Sequence, residues 1–127
     1  MNKKVISAKN APEALGPYSQ AVKCGNMLFL SGQTPIIPAD GTLIKDDIKA
    51  ATAQCFENIK SVLEAAGASL ENVVKMTVFL KDFDDFAAMN EVYKSYFSGS
   101  FPARSCIQAA KLPLDCMVEI EAIAMVD

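Results

Sequence analysis

With no histidine in 127 residues, the chain cannot build a Ser-His-Asp triad, a Cys-His dyad, an HExxH zinc site or an imidazole proton shuttle. Lys and Arg number 12 against 15 Asp and Glu, a net charge of −3 that argues against a nucleic-acid footprint. A hydrophobic share of 51% with 21% charged residues describes a folded chain, of a length that suits a single domain spanning 1–127.

Residues 20–24 and 27–31 are apolar-rich runs around Gly25-Asn26, the spacing of a β-hairpin. Pro35, Pro38, Asp40 and Gly41 mark a loop. From Asp46 to Ala66 the period becomes helical, with Ile48, Cys55, Ile59, Val62, Leu63 and Ala66 on one face. Asp46 or Asp47 is placed to cap its start and Gly67 its end. Val73–Leu80 alternates, with Val74, Met76, Val78 and Leu80 on one side. A second helix fits Asp84–Phe97, with Phe86, Met89, Tyr93, Tyr96 and Phe97 inward. Two further strands, 103–110 and 116–126, are joined around Pro113. The order β-β-α-β-α-β-β predicts an α+β two-layer sandwich, a mixed sheet with both helices on one face.

In the last strand Val118, Ile120, Ala122, Ala124 and Val126 make a continuous apolar face. The other face carries Met117, Glu119, Glu121, Ile123 and Met125, which is too apolar for simple solvent exposure and suggests burial against another subunit. Ordinary surface scatter is the alternative. Taking 103–110 and 116–126 as an antiparallel pair with Ser105, Ile107 and Ala109 under the helices, Arg104 and Cys106 share the outer face with Glu119 and Glu121. An Arg fork binds a carboxylate in bidentate fashion, a Glu holds or deprotonates a water, and Cys106 is a nucleophile only with a lowered pKa. A structural Arg–Glu pair across two strands explains the same set. Gly16-Pro17-Tyr18 presents an aromatic hydroxyl, Ser31-Gly32 allows close backbone approach, and Asn90 is a poor helix former that points at a ligand or at solvent.

Cys24, Cys55, Cys106 and Cys116 form no CxxC pair, and no apolar run approaches the ~20 residues of a membrane span. The first six residues hold no apolar segment long enough for a secretory signal. We therefore expect free thiols, no membrane association and a cytoplasmic location.

Ala14-Leu15-Gly16-Pro17-Tyr18-Ser19-Gln20-Ala21, Leu30-Ser31-Gly32-Gln33, the stretch 73–82, Phe101-Pro102-Ala103-Arg104-Ser105-Cys106 and Val118-Glu119-Ile120-Glu121-Ala122 occur in order. Together they resemble the Rid/YjgF family over nearly the whole chain, most of all its 2-iminobutanoate/2-iminopropanoate deaminases. The resemblance implies a chorismate-mutase-like homotrimer with sites between subunits. It implies hydrolysis of enamine and imine intermediates to 2-oxo acids and ammonia, without a cofactor or metal. Arg104 would clamp the substrate carboxylate, aided by the backbone around Gly32 and Cys106. Glu119 would position the water, and Tyr18, Ser31 and Asn90 would line the cleft. Cys106 is then a lining residue rather than a nucleophile. The alternative function is a carboxylate-metabolite-binding regulatory module without turnover. A third reading, a holdase or a ribonuclease, draws on other roles reported in the family; the acidic charge and the absence of histidine count against the nuclease chemistry.

Overall fold

The computed structural model describes residues 2–127. Six strands form one mixed sheet: β1 Lys3–Ile6, β2 Ala21–Cys24, β3 Met27–Gln33, β4 Val73–Leu80, β5 Ala103–Gln108 and β6 Val118–Met125. Two helices, α1 Ile48–Ala65 and α2 Phe86–Ser95, lie in the connections β3–β4 and β4–β5. The α+β class and the two helices agree with the sequence reading. One strand, β1, was not anticipated; only Ile6 of its four residues is buried, so it carries almost no alternation.

Each element has a local cause. At the start of α1, Asp47 accepts the Ala50 N–H at 3.1 Å, a normal N-cap. Its end is a Schellman turn: Ala68 N–H donates to the Leu63 carbonyl at 2.8 Å and Gly67 N–H to Glu64 at 3.0 Å. Gly67 takes φ 76°, which suits a residue without Cβ. Cys55, Phe56, Ile59, Val62 and Leu63 of α1 are fully buried against Leu28, Met76, Val78, Leu80, Val118 and Ile120 of the sheet. In β4 a register shift between Val73 and Lys75 turns Val73 inward and leaves Val74 exposed, contrary to the simple alternation.

Strand order departs from expectation. The sheet runs β1-β2-β3-β6-β4-β5, with β6 inserted antiparallel between β3 and β4. The edge strand β5 pairs with β4 in parallel, not with β6. Both connections containing helices therefore join parallel strands, and each helix must cross over the sheet to do so.

This topology overturns the expected facing of β5. Met76 and Val78, buried under the helices, are in register with Arg104 and Cys106 on one side and with Ala122 and Ile120 on the other. Arg104 and Cys106 thus face the helices. Glu121 and Glu119 are in register with Thr77 and Phe79, which pair with Ser105 and Ile107 on the outer face. Ile107, taken above as core, is 49% exposed. Hydrophobicity misassigned the edge strand because the guanidinium of Arg104 finds aromatic partners beneath α2, while Ile107 belongs to the uncovered face.

That face is largely apolar. Val5, Val22, Phe29 and Ile123 stand in one directly paired row across β1, β2, β3 and β6. Cys24, Met27 and Met125 form the next row. Phe29, Met125 and Val5 are exposed, and no element of the described residues lies over them.

Candidate active site in two halves

One cleft opens beside β3 and β6, with a volume of about 520 Å³. Tyr18, Ser31, Gly32 and Glu119, all singled out from sequence, line it together with Glu121 and Leu114. The Tyr18 N–H donates to the Gly16 carbonyl at 2.8 Å, so Gly16-Pro17-Tyr18 is a tight turn, and the ring it presents is 52% exposed. Ser31 Oγ donates to the Ser19 carbonyl at 2.6 Å and Ser31 N–H to the Gln20 carbonyl at 3.0 Å. Ser31 therefore fastens the Tyr18 segment to β3. Buried Gln20 fastens it from the other side: Oε1 accepts from Ala8 N–H at 2.6 Å, and Nε2 donates to the carbonyls of Ala8 and Pro12 at 3.2 and 2.8 Å.

Glu119 is the chemically distinctive group here. Burial, and then the charge of Glu121, raise its carboxyl above the ordinary value, and no cation offsets them among the described residues. It lies so close to Gly32 that a Cβ on that residue would stand 2.8 Å from Glu119 Cδ. A side chain at 32 would therefore displace the Glu119 carboxylate from its present position. The cleft is bordered by Pro113-Leu114-Asp115, where Leu114 and Asp115 hold φ of 56° and 55°. Such angles are strained for residues with a Cβ. They are held by Asp115 N–H to Leu112 O at 3.0 Å, Cys116 N–H to Pro113 O at 3.1 Å and a Lys81–Asp115 ion pair at 2.9 Å.

The second half lies on the other side of the sheet, between α2 and β5, where Asn90, Tyr93 and Arg104 line a separate hollow with Phe101. Arg104 Nη1 donates to Asn90 Oδ1 at 2.7 Å, so Asn90 points at a functional side chain rather than at solvent. The Arg104 guanidinium lies 4.6 Å over the Tyr93 ring and 5.5 Å over that of Phe86. No carboxylate of the described residues pairs with it. Cys106 follows on the same face of β5. Burial raises its thiol and Arg104 offsets this only in part, so a neutral thiol and not a thiolate is favoured.

The expected residues are therefore all near a cleft, but not the same cleft. Tyr18, Ser31, Gly32 and Glu119 assemble in one, Asn90 and Arg104 in the other with Cys106 beside them. The expected meeting of Arg104 and Glu119 on one face does not occur within a single chain. Leu114 and Tyr93 were missed as site residues. The first lies in the connection around Pro113, to which the sequence reading gives no role; the second read as core, which it is, since the ring serves both. A guanidinium without a counter-anion and a desolvated carboxylate suit binding of an anionic small molecule and proton transfer to or from a water.

This fold belongs to a known class. The family model described as Endoribonuclease L-PSP matches residues 8–126, and the chain belongs to this family, the Rid family of the sequence reading. Among relatives, a RutC family protein of Pyrococcus horikoshii is 57% identical over 122 residues, 96% of this chain and 97% of that one. The 2-iminobutanoate/2-iminopropanoate deaminase of Escherichia coli K12 is 46% identical over 125 residues, 96% and 97% of the two chains. The crystal structure of E. coli TdcF with bound serine superposes with a TM-score of 0.94 at 45% identity, covering 98% of this chain and 99% of that one. No helix of the described residues is long and apolar enough to cross a membrane.

Proposed function

We propose that this protein is a hydrolase of 2-imino acids and their enamine tautomers, and that it works as a cytoplasmic homotrimer in which Arg104 of one copy and Glu119 of its neighbour share a cleft. The observation that carries the reading is the separation of opposites. One chain holds an unpaired guanidinium on the helix side and an unpaired, desolvated carboxylate on the outer side. The uncovered apolar rows of the sheet supply a surface for assembly, and relatives at 46% identity bear the deaminase name.

The chemistry needs little. An iminium carbon is already electrophilic, so orientation, a placed water and a proton route suffice. Arg104 holds the substrate carboxylate as a fork, with Gly32 and Cys106 backbone nearby. Glu119 takes a proton from the water as its oxygen bonds to the imine carbon. Glu119 then returns that proton to nitrogen, and, ionised again, takes the proton of the new hydroxyl as the C=O bond forms and the C–N bond breaks, so that ammonia and a 2-oxo acid leave. A carboxyl with a raised pKa is better matched to this exchange near neutral pH than an ordinary glutamate. Tyr18 and Ser31 line the approach, and no metal or cofactor enters the scheme.

The test generates 2-iminobutanoate with a threonine dehydratase and follows 2-oxobutanoate, alongside sedimentation of the protein. Faster release with wild type, loss of it with Arg104→Ala, and a trimeric mass are expected. An Arg104→Ala protein as fast as wild type refutes the mechanism. Tight 2-oxobutanoate binding without turnover would instead assign a carboxylate-sensing module.

A further inference from the structure

Arg104 must hold a planar fork in one orientation to grip a carboxylate with two bonds. The residues fixing it come from one stripe of α2: Phe86, Asn90 and Tyr93 follow the spacing i, i+4, i+7. Asn90 takes one N–H, which sets one edge of the guanidinium. Tyr93 lies under its plane, at 4.6 Å.

Tyr93 is unlike Phe86 in being rigidly built in. It is only 4% exposed. Its ring meets Phe56 edge-on at 5.5 Å and leans on Phe97 at 5.2 Å. Its hydroxyl, however, is the one buried side-chain oxygen or nitrogen of the described residues without a hydrogen-bond partner. An orphan hydroxyl costs stability, so what this residue gives the site is its ring face, which phenylalanine would share.

We propose that Tyr93 is the positioning residue of Arg104: its locked ring face carries the guanidinium, and with Asn90 it keeps the carboxylate fork pre-formed. The proposal rests on Arg104 as the carboxylate-binding group of the function proposed above. A cation over a desolvated ring is held there by the ring quadrupole. Without that face the arginine keeps its Asn90 bond but gains freedom to rotate about it.

The test compares Tyr93→Phe, which keeps the π face, with Tyr93→Leu and Tyr93→Met, which do not; Met fills more of the volume should Leu fail to fold. Folding is checked by circular dichroism. Calorimetric binding of 2-oxobutanoate is read beside kcat and KM in the dehydratase-coupled assay. Tyr93→Phe is expected to bind within about twofold of wild type and to melt no lower. Leu or Met should bind about fivefold to thirtyfold more weakly, with KM raised by the same factor and kcat little changed. A folded Leu or Met protein that binds as wild type overturns the proposal, as does a Phe protein as weak as Leu. The calorimetric arm separates the two levels. Wild type that binds 2-oxobutanoate through Tyr93 yet hydrolyses no imine refutes the reaction and sustains the positioning role. Wild type that binds no 2-oxobutanoate refutes both.

Discussion

Gly32→Ala is a small change with a calculable consequence. Gly32 is not among the glycines with positive φ, so alanine meets no backbone penalty at that position. What it meets is Glu119: the added Cβ would stand 2.8 Å from Cδ and 3.0 Å from both Cγ and Oε2. Ordinary contact between carbon atoms begins near ~3.5 Å, so the carboxylate must retreat by about 1 Å or less. The displaced group is the end of a flexible, partly exposed side chain, so the fold should lose no more than about 1 kcal/mol. Catalysis is less forgiving. A shift of about 1 Å in a positioned reacting group costs on the order of 100-fold in rate, about 2.7 kcal/mol in the barrier. The dehydratase-coupled assay should therefore show turnover down by about that factor, while thermal melting moves little and 2-oxobutanoate binding through Arg104 persists. An alanine variant with wild-type turnover would refute the placement of Glu119 in the reaction. A loss of turnover matched by gross destabilisation would refute the steric account.

Other expectations follow from the same geometry. Because burial and Glu121 raise the Glu119 carboxyl, the acid limb of the pH–rate profile should lie above that of an unperturbed glutamate, and Glu121→Gln should move it down. The folded chain binds that proton more tightly than the unfolded chain. Stability from this group is therefore gained as pH falls through the raised value and is absent above it, and Glu119→Gln should flatten that dependence in denaturation curves. Leu114→Gly relieves a left-handed backbone at φ 56° and removes a mostly exposed side chain, so the unfolding free energy from urea titration should rise by up to about 1 kcal/mol, with a higher midpoint, after the extra chain entropy of glycine is set against it. Gln20→Ala strips partners from Ala8 and Pro12 and should cost about 2–3 kcal/mol, with faster amide exchange over the segment leading to Tyr18.

Long periodic elements were legible in the sequence because burial imposes their spacing. The Asp47 cap, the Gly67 stop, the inward face of α1 and the apolar side of β6 all emerged where expected. The residue types of the site were legible as well, through the linked motifs. The side of the sheet on which they stand was not. Alternation separates two faces of a strand without saying which is buried, and at an edge strand both choices satisfy it. In β5 the apolar Ile107 argued one way, and the contacts of Arg104 with Asn90, Tyr93 and Phe86 decided the other. Those contacts are long-range and depend on β6 entering between β3 and β4, which no local pattern announces. Short β1, half lysine, offered too little apolar signal to be seen.

The placement of Arg104 and Glu119 on opposite faces of one sheet has a genetic consequence. On the composite-site reading, Arg104→Ala and Glu119→Gln are each inactive alone, yet each retains the half that the other has lost. Unfolded together and refolded as a mixture, they should regain about one quarter of the wild-type sites, since either half is intact with even odds at each junction. On the same reading a chain carrying both changes would silence the two junctions it touches in a trimer, and complementation between two dead alleles would be the signature of a shared site.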